Sequence, residues 1–107
     1  MIDSITRVEL AKNAEVPVGV GHVIQVDQTE ISLFKLATGE IYALENKSPH
    51  PKGGTLADGL ISGKYIYCPV YDWKISLETG DVQTPDQGKV RTYSVQLEEE
   101  SIYLIGN

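Results

Sequence analysis

Apolar and polar residues alternate along most of this chain, and helical spacing is weak throughout. Arg7 to Leu10 reads as a first short strand. His22-Val23-Ile24-Gln25-Val26 reads as a second, followed by a polar turn at Asp27-Gln28-Thr29. Ile31-Ser32-Leu33-Phe34-Lys35-Leu36 then places an apolar residue at mostly every second position, the pattern of a half-buried strand, so the two should pair as a hairpin. A turn at Thr38-Gly39, where glycine can take positive φ, sends Glu40 to Glu45 back as another strand.

From Glu45 to Leu60 the pattern stops. Pro49, Pro51, Gly53, Gly54 and Gly59 break regular pairing and predict an irregular loop. Lys64 to Cys68 is strand-like again, Pro69 ends it, and Trp73 to Leu77 runs as a strand into a tight turn at Glu78-Thr79-Gly80-Asp81. After a bend at Thr84-Pro85-Asp86, Arg91 to Leu97 and Ser101 to Ile105 predict a closing hairpin around Glu98-Glu99-Glu100. The one candidate helix, Ala11 to Glu15, is too short to rank above a turn. Many short strands at close spacing imply an all-β fold, a small antiparallel sandwich or barrel. With no linker, repeat or low-complexity segment, residues 1–107 are expected to form a single domain.

Composition narrows the partners. A net charge of −6 and a pI near 4.7 oppose nucleic acid and anionic membranes, which would repel the chain at long range. No run has membrane-spanning length and no apolar stretch follows a basic start, so a cytoplasmic location is expected. Cys68 is the sole cysteine, which excludes an internal disulfide and suits a reducing compartment.

The chemistry concentrates in two segments, Ser48-Pro49-His50 and Cys68-Pro69-Val70-Tyr71, with 17 residues between His50 and Cys68. The second continues Asp72-Trp73-Lys74-Ile75-Ser76-Leu77-Glu78-Thr79-Gly80. The first lies within Leu44-Glu45-Asn46-Lys47-Ser48-Pro49-His50-Pro51-Lys52-Gly53-Gly54-Thr55-Leu56. Together they resemble the Rieske ferredoxin-like family, whose loops read Cys-Pro-His with a glycine turn and Cys-Pro-x-His-x-Trp-x-Phe-x-x-x-Thr-Gly. Pro85, Val90, Tyr93 and Val95 fall where such domains place a proline bend and a last core hairpin. The resemblance covers nearly the whole chain and implies two loops, 44–56 and 68–80, projecting from the sheet.

A Rieske [2Fe-2S] cluster takes two thiolates on one iron and two imidazoles on the other. The corresponding positions here are Ser48, His50, Cys68 and Tyr71, so a hydroxyl and a phenol replace a thiolate and an imidazole. Hydroxyl oxygens are hard donors and the phenol has an ordinary pKa near ~10, whereas these clusters select soft thiolate. No cofactor and no metal are therefore expected in this chain. Zinc would find only two of four ligands in His50 and Cys68. Cys68 as a nucleophile would have His50 as its one evident base, against the plainer reading of a small buried side chain. Tyr71 filling the vacated volume and Trp73 packing beneath the loop are core readings of the same residues. His22 carries no functional reading, and the Glu98 to Glu100 run reads as a solvated hairpin tip.

Within the family the chain is most similar to the small subunits of cytoplasmic assimilatory NAD(P)H-dependent nitrite reductase, many of which lack cluster ligands. That resemblance implies a structural or regulatory role beside a large subunit. The large subunit would carry FAD, an iron–sulphur cluster and siroheme, and would pass six electrons from NAD(P)H to nitrite, yielding ammonium. No catalytic residue is expected in this chain. Docking is expected through the projecting loops, at Lys52, Gly53, Gly54, Tyr71, Trp73 and Lys74, where lysines make that end less acidic. Two other readings stay open: a Rieske-type 2Fe-2S electron-transfer ferredoxin with atypical ligation, and a free-standing binding module unrelated to nitrite.

Overall fold

A computed structural model describes residues 7–47, 54–69, 73–83 and 86–105. The first sheet contains β1 (Arg7–Lys12), β2 (Gly21–Val26), β3 (Thr29–Lys35), β4 (Ile41–Glu45), β8 (Thr92–Glu98) and β9 (Ser101–Ile105). Its order is β1-β9-β8-β4-β3-β2 with antiparallel pairing between the named strands. The end strands β1 and β2 approach each other, so this sheet curls nearly into a barrel. A second sheet, β5-β6-β7, is made of three short strands, β5 (Leu60–Ser62), β6 (Tyr65–Tyr67) and β7 (Lys74–Ser76). The expected all-β antiparallel architecture is what the chain adopts, and a 3-10 turn at Asn13–Glu15 stands where the short helix was in question.

The hairpins follow from local chemistry. Val26 pairs with Thr29 across Asp27-Gln28, and Asp27 takes φ 54°, a left-handed value that aspartate tolerates. The closing hairpin turns at Glu99, also left-handed at φ 55°, between the paired Glu98 and Ser101. In β1 a bulge between Glu9 and Ala11 turns the adjacent Leu10 and Ala11 both into the core, which regular alternation would forbid.

Two apolar cores result, and β3 separates them. Ile31 and Leu33 face the barrel interior with Leu10, Ala11, Val16, Ala43 and Ile102. Phe34, with Leu36 and Leu44, faces the small sheet and packs with Leu56, Ile66, Cys68, Ile75, Leu77, Val82 and Val90. The half-buried strand expected at Ile31–Leu36 is therefore buried on both sides through its centre. Ser32, on the second face, is fully buried, and its hydroxyl donates to the Leu44 carbonyl at 3.0 Å, which removes the penalty of burying an unpaired polar group.

β5 was not expected, since three residues between Gly59 and Gly63 carry too little pattern. It pairs Leu60, Ile61 and Ser62 with Tyr67, Ile66 and Tyr65. Gly59 enables this pairing, because a Cβ there would strike the Tyr67 carbonyl. The projecting loops are also shorter than expected: Leu44 and Glu45 belong to β4 and Lys74–Ser76 to β7, so neither 44–56 nor 68–80 is loop throughout.

Candidate functional site

Both loops leave the body at defined necks. The first begins at Asn46, directly after β4, and returns through Thr55 to Gly59 into β5. Asn46 is 8% exposed and its amide is used at both ends: Nδ2 donates to Glu30 Oε1 at 3.1 Å, and Oδ1 accepts the Ala57 N–H at 2.9 Å. The Asn46 backbone N–H donates to the Glu30 carbonyl at 2.9 Å. On the returning limb the Thr55 hydroxyl donates to Asp58 Oδ2, Leu56 is fully buried and the Gly59 N–H donates to the Leu56 carbonyl. Ala57 lies against Gly21 of β2, where a Cβ would come within 2.5 Å of the Ala57 Cα and carbonyl oxygen. Gly54, one of the expected docking residues, is exposed with φ 111°, so the glycine turn is a conformational requirement.

The second loop is the tip of the β6–β7 hairpin. The Cys68 N–H donates to the Trp73 carbonyl at 2.9 Å, one step beyond the Tyr67–Lys74 pair, and encloses the four residues between. Cys68 is 1% exposed within the inter-sheet core, as its plainer reading requires, and Trp73 is partly buried against the same core. Lys74 sits on the opposite face of the small sheet, its ammonium 4.3 Å from the Tyr65 ring centroid and 6.0 Å from that of Tyr67. Leu60 shares that face at 75% exposure. Ser48, His50, Lys52, Gly53 and Tyr71 lie outside the described residues.

The Thr79-Gly80 segment proves to be structural. Gly80 takes φ 81° and is buried, with Val90 so close that a Cβ would strike its carbonyl. The Ser76 hydroxyl accepts the Glu78 and Thr79 N–H groups at 3.2 Å each, and the Thr79 hydroxyl accepts that of Asp81 at 3.2 Å. This turn carries Lys89 and Val90 back toward the barrel through the Asp81–Lys89 bridge.

Residues 7–105 match the family model of the Rieske-like [2Fe-2S] domain. The chain belongs to that family. Among its relatives is the ferredoxin component of the naphthalene 1,2-dioxygenase/salicylate 5-hydroxylase systems of a Ralstonia species, 31% identical over 91 residues that cover 84% of this chain and 86% of that one. The ferredoxin component of the 2,4-dinitrotoluene dioxygenase system of a Burkholderia strain is 31% identical over 98 residues, 91% and 92% of the two chains. Among solved structures, a candidate NADH-dependent nitrite reductase small subunit of Mycobacterium tuberculosis superposes with a TM-score of 0.85 at 18% identity, over 98% of both chains. The ferredoxin of carbazole 1,9a-dioxygenase from Nocardioides aromaticivorans IC177 gives 0.85 at 24%, over 95% of this chain and 99% of that one. At these structural identities the likeness is one of fold.

The donor set does not fit the cluster for which the family is named. Of the four ligand positions, His50 and Cys68 keep an imidazole and a thiol, while Ser48 and Tyr71 offer oxygens. Among the described residues, no three His, Cys, Asp or Glu side chains converge on a metal-sized site. Also among the described residues, no helix is long and apolar enough to cross a membrane.

Sequence reasoning missed Asn46, Glu30, Gly21 and the Tyr65–Tyr67 pair. An Asn where a strand gives way to a proline- and glycine-rich loop is a recognisable signal, since its amide bonds readily to nearby backbone. Its partners on β3 and on the far limb of the loop carry no signal in the local sequence.

Proposed function

We propose that this Rieske-like chain is the small, accessory subunit of a cytoplasmic NAD(P)H-dependent nitrite reductase, supporting reduction of nitrite to ammonium without a cluster of its own. The donor set at positions 48, 50, 68 and 71 carries the reading: the fold and both loop necks persist while half of the soft ligands are replaced. Solved chains assigned as nitrite reductase small subunits share the fold, which is compatible with the assignment but also common to ferredoxins. The partner is the siroheme-containing large subunit, which holds the FAD, the siroheme and the iron–sulphur cluster. It is engaged through Lys52, Gly53, Gly54, Tyr71, Trp73 and Lys74, with the single domain acting as a rigid carrier for these loops.

Iron and acid-labile sulphide in anaerobically purified protein test this reading. A colourless preparation without stoichiometric iron is expected. Stoichiometric iron with a Rieske absorption spectrum would overturn it in favour of the second reading, an electron-transfer ferredoxin with atypical ligation, which the dioxygenase ferredoxin relatives favour.

A further inference from the structure

We infer that Asn46 is a positioning residue: its amide clasps the neck of the first loop, fixing where its two limbs leave the barrel, and so presents that loop to the partner subunit. The inference rests on the docking role proposed above. Glu30 can only accept through its carboxylate and Ala57 can only donate through its N–H, so the orientation of the Asn46 amide is determined by its neighbours. One side chain thereby binds the outgoing limb at residue 46, the returning limb at residue 57 and the β2–β3 hairpin. Gly21 completes the seat by leaving room for the Ala57 backbone.

The side-chain chemistry is specific. Aspartate would have no N–H for Glu30 and would bring a second carboxylate against it, and serine is too short to span both partners. A Rieske cluster, ligated from both loops, would tie the first loop down from its tip. Here one of the first loop's two donors, at position 48, is replaced, and the clasp holds the loop from its base. The segment between the clasped positions contains Lys52, Gly53 and Gly54.

An exchange of amide and carboxylate across the pair tests the clasp. Asn46→Asp sets a second carboxylate against Glu30 and should drive the side chain from its seat, raising amide exchange at Ala57 on the order of fivefold and weakening association with the purified siroheme-containing large subunit about tenfold. Adding Glu30→Gln should restore both, since the amide introduced at position 30 can donate to the carboxylate introduced at position 46, which still accepts from Ala57. Glu30→Ala, which removes the β3 partner alone, serves if Asn46→Asp does not fold. Exchange in β8 and β9 should stay unchanged throughout. Unchanged exchange at Ala57 in both Asn46→Asp and Glu30→Ala, or raised exchange with no loss of association, would overturn the assignment, as would failure of the second substitution to rescue. If the wild-type chain itself does not associate, the docking role falls and the positioning role with it. The exchange data would then still show whether Asn46 holds the loop, keeping the two failures distinct.

Discussion

The two sheets differ in what they can support alone. The barrel-like sheet encloses a core of its own, built from Leu10, Val16, Ile31, Leu33 and Ile102. The small sheet, three residues to a strand, has one buried face, and that face rests on Phe34, Leu36 and Leu44 of the barrel wall. With strands this short and its apolar face buried only against the barrel, the small sheet draws its stability from that packing. The second loop therefore rides on the dependent sheet, while the first is clasped to the β2–β3 hairpin of the barrel. The necks of the two loops are thus unequally supported.

Adjacent residues on β3 offer the sharpest way to break that comparison, since Leu33 faces the barrel interior and Phe34 the small sheet. Phe34→Ala should cost about 3–5 kcal/mol and Leu33→Ala about 2–5 kcal/mol. The diagnostic lies in amide exchange, where Phe34→Ala should deprotect β6 and β7 ahead of β8 and β9 and Leu33→Ala should not. Identical exchange patterns in the two variants would mean that the sheets unfold as one unit.

Gly80→Ala comes next. The left-handed backbone costs an L-residue roughly 1–2 kcal/mol, and displacing the Val90 carbonyl adds to it. A fall in denaturation midpoint with weakened protection at Ser76 to Val90 is expected, and a variant as stable as wild type would remove this turn as the joint between β7 and the barrel.

If the proposed docking role holds, reversing the charge at Lys52 and Lys74 together should weaken association with the proposed large subunit while leaving the midpoint nearly unchanged, because exposed ion pairs contribute about 0–1 kcal/mol each. Unchanged capture of the large subunit in a pull-down would take both lysines out of the interface. For Lys74 the loss of its place over Tyr65 and Tyr67 should also change the tyrosine near-ultraviolet signal, whatever happens to docking.

The smallest effect concerns Lys64, which joins the β5–β6 turn to Glu40 at 3.7 Å and Glu78 at 3.4 Å, linking both sheets at the surface. Glu40 foremost, then Glu78, raise the Lys64 pKa above its ordinary 10.5. The contribution of a raised lysine is complete below the unfolded value and fades as pH rises through the higher folded value. Wild type and Lys64→Met should thus differ slightly at neutral pH and low salt, and converge in strongly alkaline solution or at high ionic strength. A difference that persists at about 1 M salt would show that the lysine acts through packing of its stem instead.

Most of the fold was legible because alternation, turn residues and the two motifs are local properties. β2, β3, β4, β8, β9 and the family resemblance all follow from residues read in order, and so does the mismatch at Ser48 and Tyr71, which is a matter of donor chemistry alone. Tertiary structure decided what depends on distant residues meeting. It buried both faces of β3, because a second sheet covers the barrel wall, and it created β5, whose three residues become a strand only against Tyr65–Tyr67. It also gave Asn46 its partners, bringing Glu30 from 16 residues before and Ala57 from 11 after to one amide. Sequence determined which groups stand at the loops; packing decided from where those loops are held.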